Sequence, residues 1–340
     1  MNMDRTFDGA HWIWCGDTAE DFHVQAWARK IFPWDGRGRV RLQITADLRY
    51  MAWVNGHRLG FGPPKFHADT PTVDEYEISG LLRPGSNLVA VQVYSLGNRR
   101  ISSCMPRRGG LRTQLSGDGW RLGTDSTWKM RSDPGFLSDT APRGEMQPPC
   151  EWYDDRLGIG QPESEDYDDS AWPFAHEWSE NKDLVFESRD IPFMTTQPFR
   201  PDRLIECGVA TFSKANPHFP ELASELAKAR TQPDRENRIQ PSVTKTTGVA
   251  FDTKGLSASE TLYGLWDFGR IWTGYPCLQV RGTPGTIIDI SYSEDLKDHR
   301  IRPNKSLPYH DRIVLGDEPL FHRITWPKSL RYFQEIGRAH

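Results

Sequence analysis

Cysteine is scarce in this 340-residue chain: Cys15, Cys104, Cys150, Cys207 and Cys277, an odd number with no Cys-x-x-Cys pair. That scarcity argues against a disulfide framework or a structural zinc site and fits a reducing compartment. A surplus of charge is missing as well, because 42 Lys and Arg face 46 Asp and Glu, a net charge of −4. Such a balance supplies no general field to hold nucleic acid or an anionic membrane. No run approaches the ~20 apolar residues of a membrane span, and polar residues 1–7 lack the apolar core of a secretory signal. The expected location is therefore the cytoplasm. Local catalytic signatures are absent too. There is no Gly-x-Ser-x-Gly elbow, no Gly-x4-Gly-Lys, no Gly-x-Gly-x-x-Gly and no His-Glu-x-x-His, and His176-Glu177 has no second His one helical turn on. Sequence separation alone does not pair any two acidic residues as acid and base.

What is present is apolar and turn-forming. Apolar residues make up 37% of the chain, with 29 Gly, 25 Pro and 13 Trp. This is enough for folded cores, too rich in Gly and Pro for long helices, and of a length that suggests two domains. Trp at this level suits sandwich cores and sugar-binding faces. The run Arg39-Val40-Arg41-Leu42-Gln43-Ile44-Thr45 alternates, which puts Val40, Leu42 and Ile44 on one buried face. A second apolar run from Tyr50 to Val54 ends in Asn55-Gly56, a type I′ hairpin signal. Tyr76 and Ile78, the turn Arg83-Pro84-Gly85-Ser86 and the central strand from Leu88 to Tyr94 continue an antiparallel sandwich.

Beyond Asp133 the chain turns rich in Pro, Gly, Asp and Glu, and the cluster Glu163, Glu165, Asp166, Asp168, Asp169 reads most simply as a solvated loop. Pro192, Pro198 and Pro201 mark a linker. A short helix is predicted at 220–228, with Leu222 and Leu226 on one face and an exposed polar run after it. Strands follow at 262–268, 277–281, 287–292, 313–315 and 330–333. The expected fold is all-β: two antiparallel, jelly-roll-like β-sandwich domains, 1–195 and 196–334, with one short helical and loop excursion at about 214–254.

Two segments are candidate binding sites. In Trp152-Tyr153-Asp154-Asp155-Arg156, a planar aromatic lies beside carboxylates and a guanidinium. Trp152, Asp154, Asp155 and Arg156 form either a sugar site, stacking on a ring and bonding its hydroxyls, or a structural turn with an Arg–Asp pair. Arg108, in Arg107-Arg108-Gly109-Gly110, sits either on a basic loop over a ligand or on an exposed turn. Asp47, Asn55 and Asp74 flank strand ends, where turn geometry explains them.

Several segments together resemble bacterial α-L-rhamnosidases of glycoside hydrolase family 78, in the region ahead of their catalytic barrel. Trp12-Ile13-Trp14, Ile44-Thr45-Ala46-Asp47-Leu48-Arg49-Tyr50, Val54-Asn55-Gly56 and Gly60-Phe61-Gly62-Pro63 are similar to the family's N-terminal, galactose-binding-like sandwich. Tyr153-Asp154-Asp155-Arg156-Leu157 resembles its Asp-Ala-Arg-Leu segment, with Asp155 in place of the small residue. Asp267-Phe268-Gly269-Arg270, Gly282-Thr283-Pro284-Gly285, Tyr292-Ser293-Glu294-Asp295-Leu296 and Asp311-Arg312-Ile313 follow in the family's order.

The resemblance implies an inverting hydrolysis of terminal α-L-rhamnosides by two carboxylates of an (α/α)6 barrel that follows the sandwiches. No residue here matches that acid or base, so the chain alone is expected to be inactive. Its implied partners are that barrel and a rhamnosylated glycan. No cofactor is implied beyond the calcium that some sandwiches at this position use to bind rhamnose. Two other readings stay open: a stand-alone carbohydrate-binding protein, and the accessory sandwiches of a β-galactosidase-like glycosidase. The ending Ile336-Gly337-Arg338-Ala339-His340 is the translation of ATC-GGA-AGA-GCA-CAC, part of a sequencing-library adapter. Native sequence is thus expected to end near Gln334, with 335–340 an artefact.

Overall fold

Alternation of apolar and polar residues is realised in strands throughout the chain. A computed structural model describes residues 7–16, 22–67, 69–97, 108–140, 149–179, 184–213, 225–226, 229–233, 239–241, 249–251, 256–257, 259–297, 301 and 310–338. The chain forms two units, one from Met1–Pro134 with Ile159–Thr196 and the other from Gly135–Gly158 with Gln197–His340. Gly135–Gly158 thus leaves the expected first domain and joins the second.

The first unit pairs two sheets. One has five strands, in spatial order Lys129–Ser132, Val24–Trp34, Gly85–Ser95, Arg49–Val54 and His57–Gly62. The other runs His176–Trp178, Trp12–Trp14, Gly110–Gly117, Arg41–Asp47, Thr72–Glu77 and Glu187–Ser188, with Trp120–Gly123 alongside Gly110–Gly117. Leu42, Ile44, Val89, Val91 and Trp14 meet in one core, as the alternation predicts. Asn55 and Gly56 both take positive φ, 48° and 74°, which a type I′ hairpin requires. The Asn55 side chain also ties the hairpin down, donating to Leu81 O and accepting from Leu88 N, both at 2.8 Å.

Two side-chain anchors hold long segments on this unit. Arg29 is 1% exposed. Its guanidinium donates to Asp169 Oδ2 at 2.8 Å, to Ser164 O at 3.0 Å, to Tyr167 O at 3.3 Å and to Pro162 O. Glu165, Asp166 and Asp168 thus face water as expected of a solvated loop, whereas the Asp169 carboxylate turns inward to Arg29 and Lys129 and the backbone is strapped to the sheet. Asp74 is the second anchor. It accepts from Arg189 Nε at 2.6 Å and Nη2 at 3.0 Å, and from the Tyr50 hydroxyl, which does more than the turn role its strand-end position suggests. Burial pushes the neighbouring Tyr76 phenol up to about 12.

Gly109-Gly110 explains why glycine follows Arg108. A Cβ on Gly109 would lie 2.5 Å from the Trp14 indole, and one on Gly110 would lie 2.8 Å from Trp12 and 2.9 Å from Trp178. Trp14 is fully buried and cannot retreat. Gly109→Ala should therefore destabilise the first unit by about 1–3 kcal/mol through overpacking. Gly80→Ala, which meets nothing within 4 Å, should stay within about 0.5 kcal/mol. Urea denaturation of the two variants checks both.

The second unit centres on a seven-stranded sheet. Its order is Trp152–Asp154, His310–Val314, Ile287–Ser293, Lys328–Arg338, Glu260–Gly274, Arg203–Thr211 and Arg230–Pro233. The first pair is parallel and the remaining pairs are antiparallel. Ile288, Ile290, Ile313 and Leu330 pack on one face with Leu278 and Ile324, and Cys150, Ala210, Tyr263 and Ile336 form a second cluster. The two-stranded ribbon Cys277–Val280 with Leu320–Arg323 supplies Leu278. Lys328–Arg338 continues past Gln334, with Ile336 buried and Gly337 opposite Leu262 and Ile288. Of the helix expected at 220–228, only Glu225 and Leu226 lie within the described residues, and both are helical. Most of the 214–254 excursion lies outside them.

Candidate functional site

The strand Trp152–Asp154 and the turn after it carry four of the five candidates. The Asp154 carboxylate is buried, and Oδ1 accepts from Arg156 N at 3.1 Å and Nε at 2.9 Å while Oδ2 accepts from Nη2 at 2.6 Å. These bonds raise the Arg156 pKa further. Asp155 Oδ2 accepts from Gly316 N at 3.1 Å, and its burial raises the carboxyl pKa. Trp152 is half-buried beside the Cys150 cluster, with the Arg312 guanidinium 5.0 Å from its ring. Arg108 belongs to the first unit, where its guanidinium lies 5.5 Å over the Trp178 ring.

This donor set does not fit calcium. Both Asp154 oxygens are bonded by a guanidinium that a cation would have to displace, whereas calcium wants six or more free oxygens. Among the described residues no group of three or more His, Cys, Asp or Glu is arranged to hold a metal ion.

A buried charge network next to this turn escaped the sequence reading. Glu151 bonds His322 Nε2 at 2.7 Å and accepts from Thr325 N at 2.8 Å. Tyr153 stacks on the same His322 with ring centroids 4.5 Å apart. Lys328 Nζ lies 2.8 Å from Asp311 Oδ2, and Arg312 grips Asp289 with Nε at 2.6 Å and Nη2 at 3.1 Å. Every one of these carboxylates is buried and already matched to a cationic or hydrogen-bonding partner.

Phe199, Arg200, Asp202, Gly269, Arg270 and Trp272 line a pocket of ≈ 350 Å³ in the second unit. It opens where the register of Glu260–Gly274 against Lys328–Arg338 shifts between Asp267 and Trp272. Gly269 takes φ +73° in this bulge, a conformation that favours glycine. Its N–H donates to Asp267 Oδ1 at 2.8 Å. Arg331 and Arg203 pair with the same carboxylate at 2.9 and 3.3 Å, and the Arg331 hydrogen bond is the main reason Asp267 lies below the usual carboxylate range. Trp272 stacks with Phe199, centroids 3.7 Å apart at 28°, and lies 3.9 Å from the Arg270 guanidinium. Asp267 to Arg270 was visible as a family-like motif. Phe199 was hidden in the linker.

No protein-family model matches the chain, and no curated protein matches it. Solved structures do. A rhamnosidase of glycoside hydrolase family 78 from Bacillus sp. GL1 aligns at TM-score 0.78 and 16% identity, over 98% of this chain and 54% of that one. The α-L-rhamnosidase of Aspergillus terreus aligns at TM-score 0.61 and 20% identity, over 97% and 34%. That of Streptomyces avermitilis, solved with L-rhamnose, aligns at TM-score 0.57 and 18% identity, over 92% and 27%. The chain thus spans about half or less of the length of these structures. At such identities the likeness is one of fold, and the all-β architecture of this chain is one that rhamnosidase structures contain.

Proposed function

We propose that this chain is the non-catalytic, two-sandwich part of an α-L-rhamnosidase-type glycosidase. In that role it frames a catalytic barrel carried by the intact enzyme and holds rhamnosylated glycan near it. The observation that carries this reading is the alignment of 98% of the chain onto about half of a rhamnosidase at TM-score 0.78. The ordered family-like motifs, from Trp12-Ile13-Trp14 to Asp311-Arg312-Ile313, support it independently of the fold. Consistent with a supporting role, Glu151, Asp154, Asp289 and Asp311 are each engaged with partners of their own.

Calorimetric titration with L-rhamnose and with a rhamnosyl disaccharide, with and without calcium, tests the glycan-holding part. Saturable heat with either ligand is expected. Absence of heat up to about 10 mM, which excludes binding stronger than about −3 kcal/mol, would remove that part of the proposal.

A further inference from the structure

The pocket at the Asp267–Trp272 bulge has a chemistry that a framing role does not require. Neither Arg200 nor Arg270 forms an ion pair with a described residue, whereas Asp267 beside them is answered by both Arg203 and Arg331. In the lining, two guanidiniums, Arg200 and Arg270, therefore meet one carboxylate, Asp202, in a chain whose net charge is −4. A local excess of positive charge in an acidic protein selects an anionic ligand.

Stacking on Trp272 occupies the face of the Arg270 guanidinium and leaves its N–H edge for a planar acceptor. Phe199 is 49% exposed while one side of its ring rests on Trp272. It therefore offers an apolar surface to the C–H face of a ring. Asp202 lies against the backbone floor, since a Cβ on Gly269 would sit 2.0 Å from its Oδ2. This exposed carboxylate is available to accept from hydroxyls. A volume of ≈ 350 Å³, at about 30 Å³ per water, equals roughly a dozen waters, which suits one sugar ring.

We propose that this pocket binds a uronic acid residue, a pyranose carrying a carboxylate. Arg200 and Arg270 take the carboxylate, Phe199 the apolar ring face and Asp202 the hydroxyls. A neutral sugar would leave both positive charges without a counter-charge, and a small inorganic anion would make no use of the aromatic wall. This assignment is independent of the rhamnosidase reading.

The test is calorimetric titration of the whole chain with methyl β-D-glucuronide and methyl α-D-galacturonide, against methyl β-D-glucoside and sodium acetate. At least one uronide should bind saturably, and both controls should bind about tenfold more weakly or worse. Arg200→Gln and Arg270→Gln should each weaken uronide binding about tenfold without moving the unfolding midpoint, since both side chains are exposed. No saturable heat with either uronide would overturn the proposal. So would acetate binding as tightly, which marks a plain anion site, or wild-type affinity in either variant. Loss of uronide binding leaves the L-rhamnose titration unaffected, so the two readings fail separately.

Discussion

Arg312→Met should destabilise the second unit by about 3–5 kcal/mol, because it strands a buried carboxylate without its countercharge. Arg312 is 1% exposed and Asp289 is fully buried, and two hydrogen bonds join them across neighbouring strands. Removing one partner leaves the desolvation cost of the other in place, which is larger than the net worth of the pair. The double variant Asp289→Leu/Arg312→Met should recover most of the loss, because apolar groups of similar volume carry no such cost. Urea unfolding of the single and double variants measures both effects. A single variant within about 1 kcal/mol of wild type would mean that Asp289 is not enclosed as described.

Arg29→Ala should be comparably severe in the first unit. One guanidinium satisfies three backbone carbonyls and Asp169, and it also lies 5.2 Å from the Tyr167 ring. Its loss leaves the three carbonyls unanswered and Asp169 with Lys129 alone, and frees the strap between residues 162 and 169, at about 3–5 kcal/mol. Arg83 tethers the same strap through Glu165, but that pair is solvent-exposed. Arg83→Ala should therefore cost no more than about 1 kcal/mol. Limited proteolysis separates the two, with new cleavage in the strap expected for Arg29→Ala and the wild-type pattern for Arg83→Ala. Equal resistance in both variants would show that Arg29 does not anchor the segment.

The contrast between these two arginines shows what the sequence could reveal. Alternation announces which face of a strand is buried, so Val40, Leu42 and Ile44 were placed correctly, as was the Asn55-Gly56 hairpin. Alternation says nothing about a charged residue whose partner lies 140 positions away, as with Arg29 and Asp169. The same limit hid the second unit's network, where Glu151 and His322 lie 171 positions apart, and only the register of two neighbouring strands sets Asp289 opposite Arg312. Trp152–Asp154 shows a related limit. Three residues carry no period, and their flanks are rich in Pro, Gly and Asp, so their parallel pairing with His310–Val314 left no local trace.

The Trp152 to Arg156 segment was legible as a place of interest but not as to its chemistry. Its residue types suit a sugar site and a structural turn equally. Only the distances show Asp154 closed by Arg156, and Asp155 holding Gly316. The pocket at Trp272 needed more still. A bulge, a positive φ and a phenylalanine from the linker combine there, and none of them has a sequence period.

The proposed framing role has this chain support glycoside cleavage without performing it. The most direct measurement incubates the purified chain at high concentration with 4-nitrophenyl α-L-rhamnoside and follows nitrophenol. No release above the buffer blank is expected. Sustained release that disappears when one carboxylate of this chain is changed to its amide would contradict it.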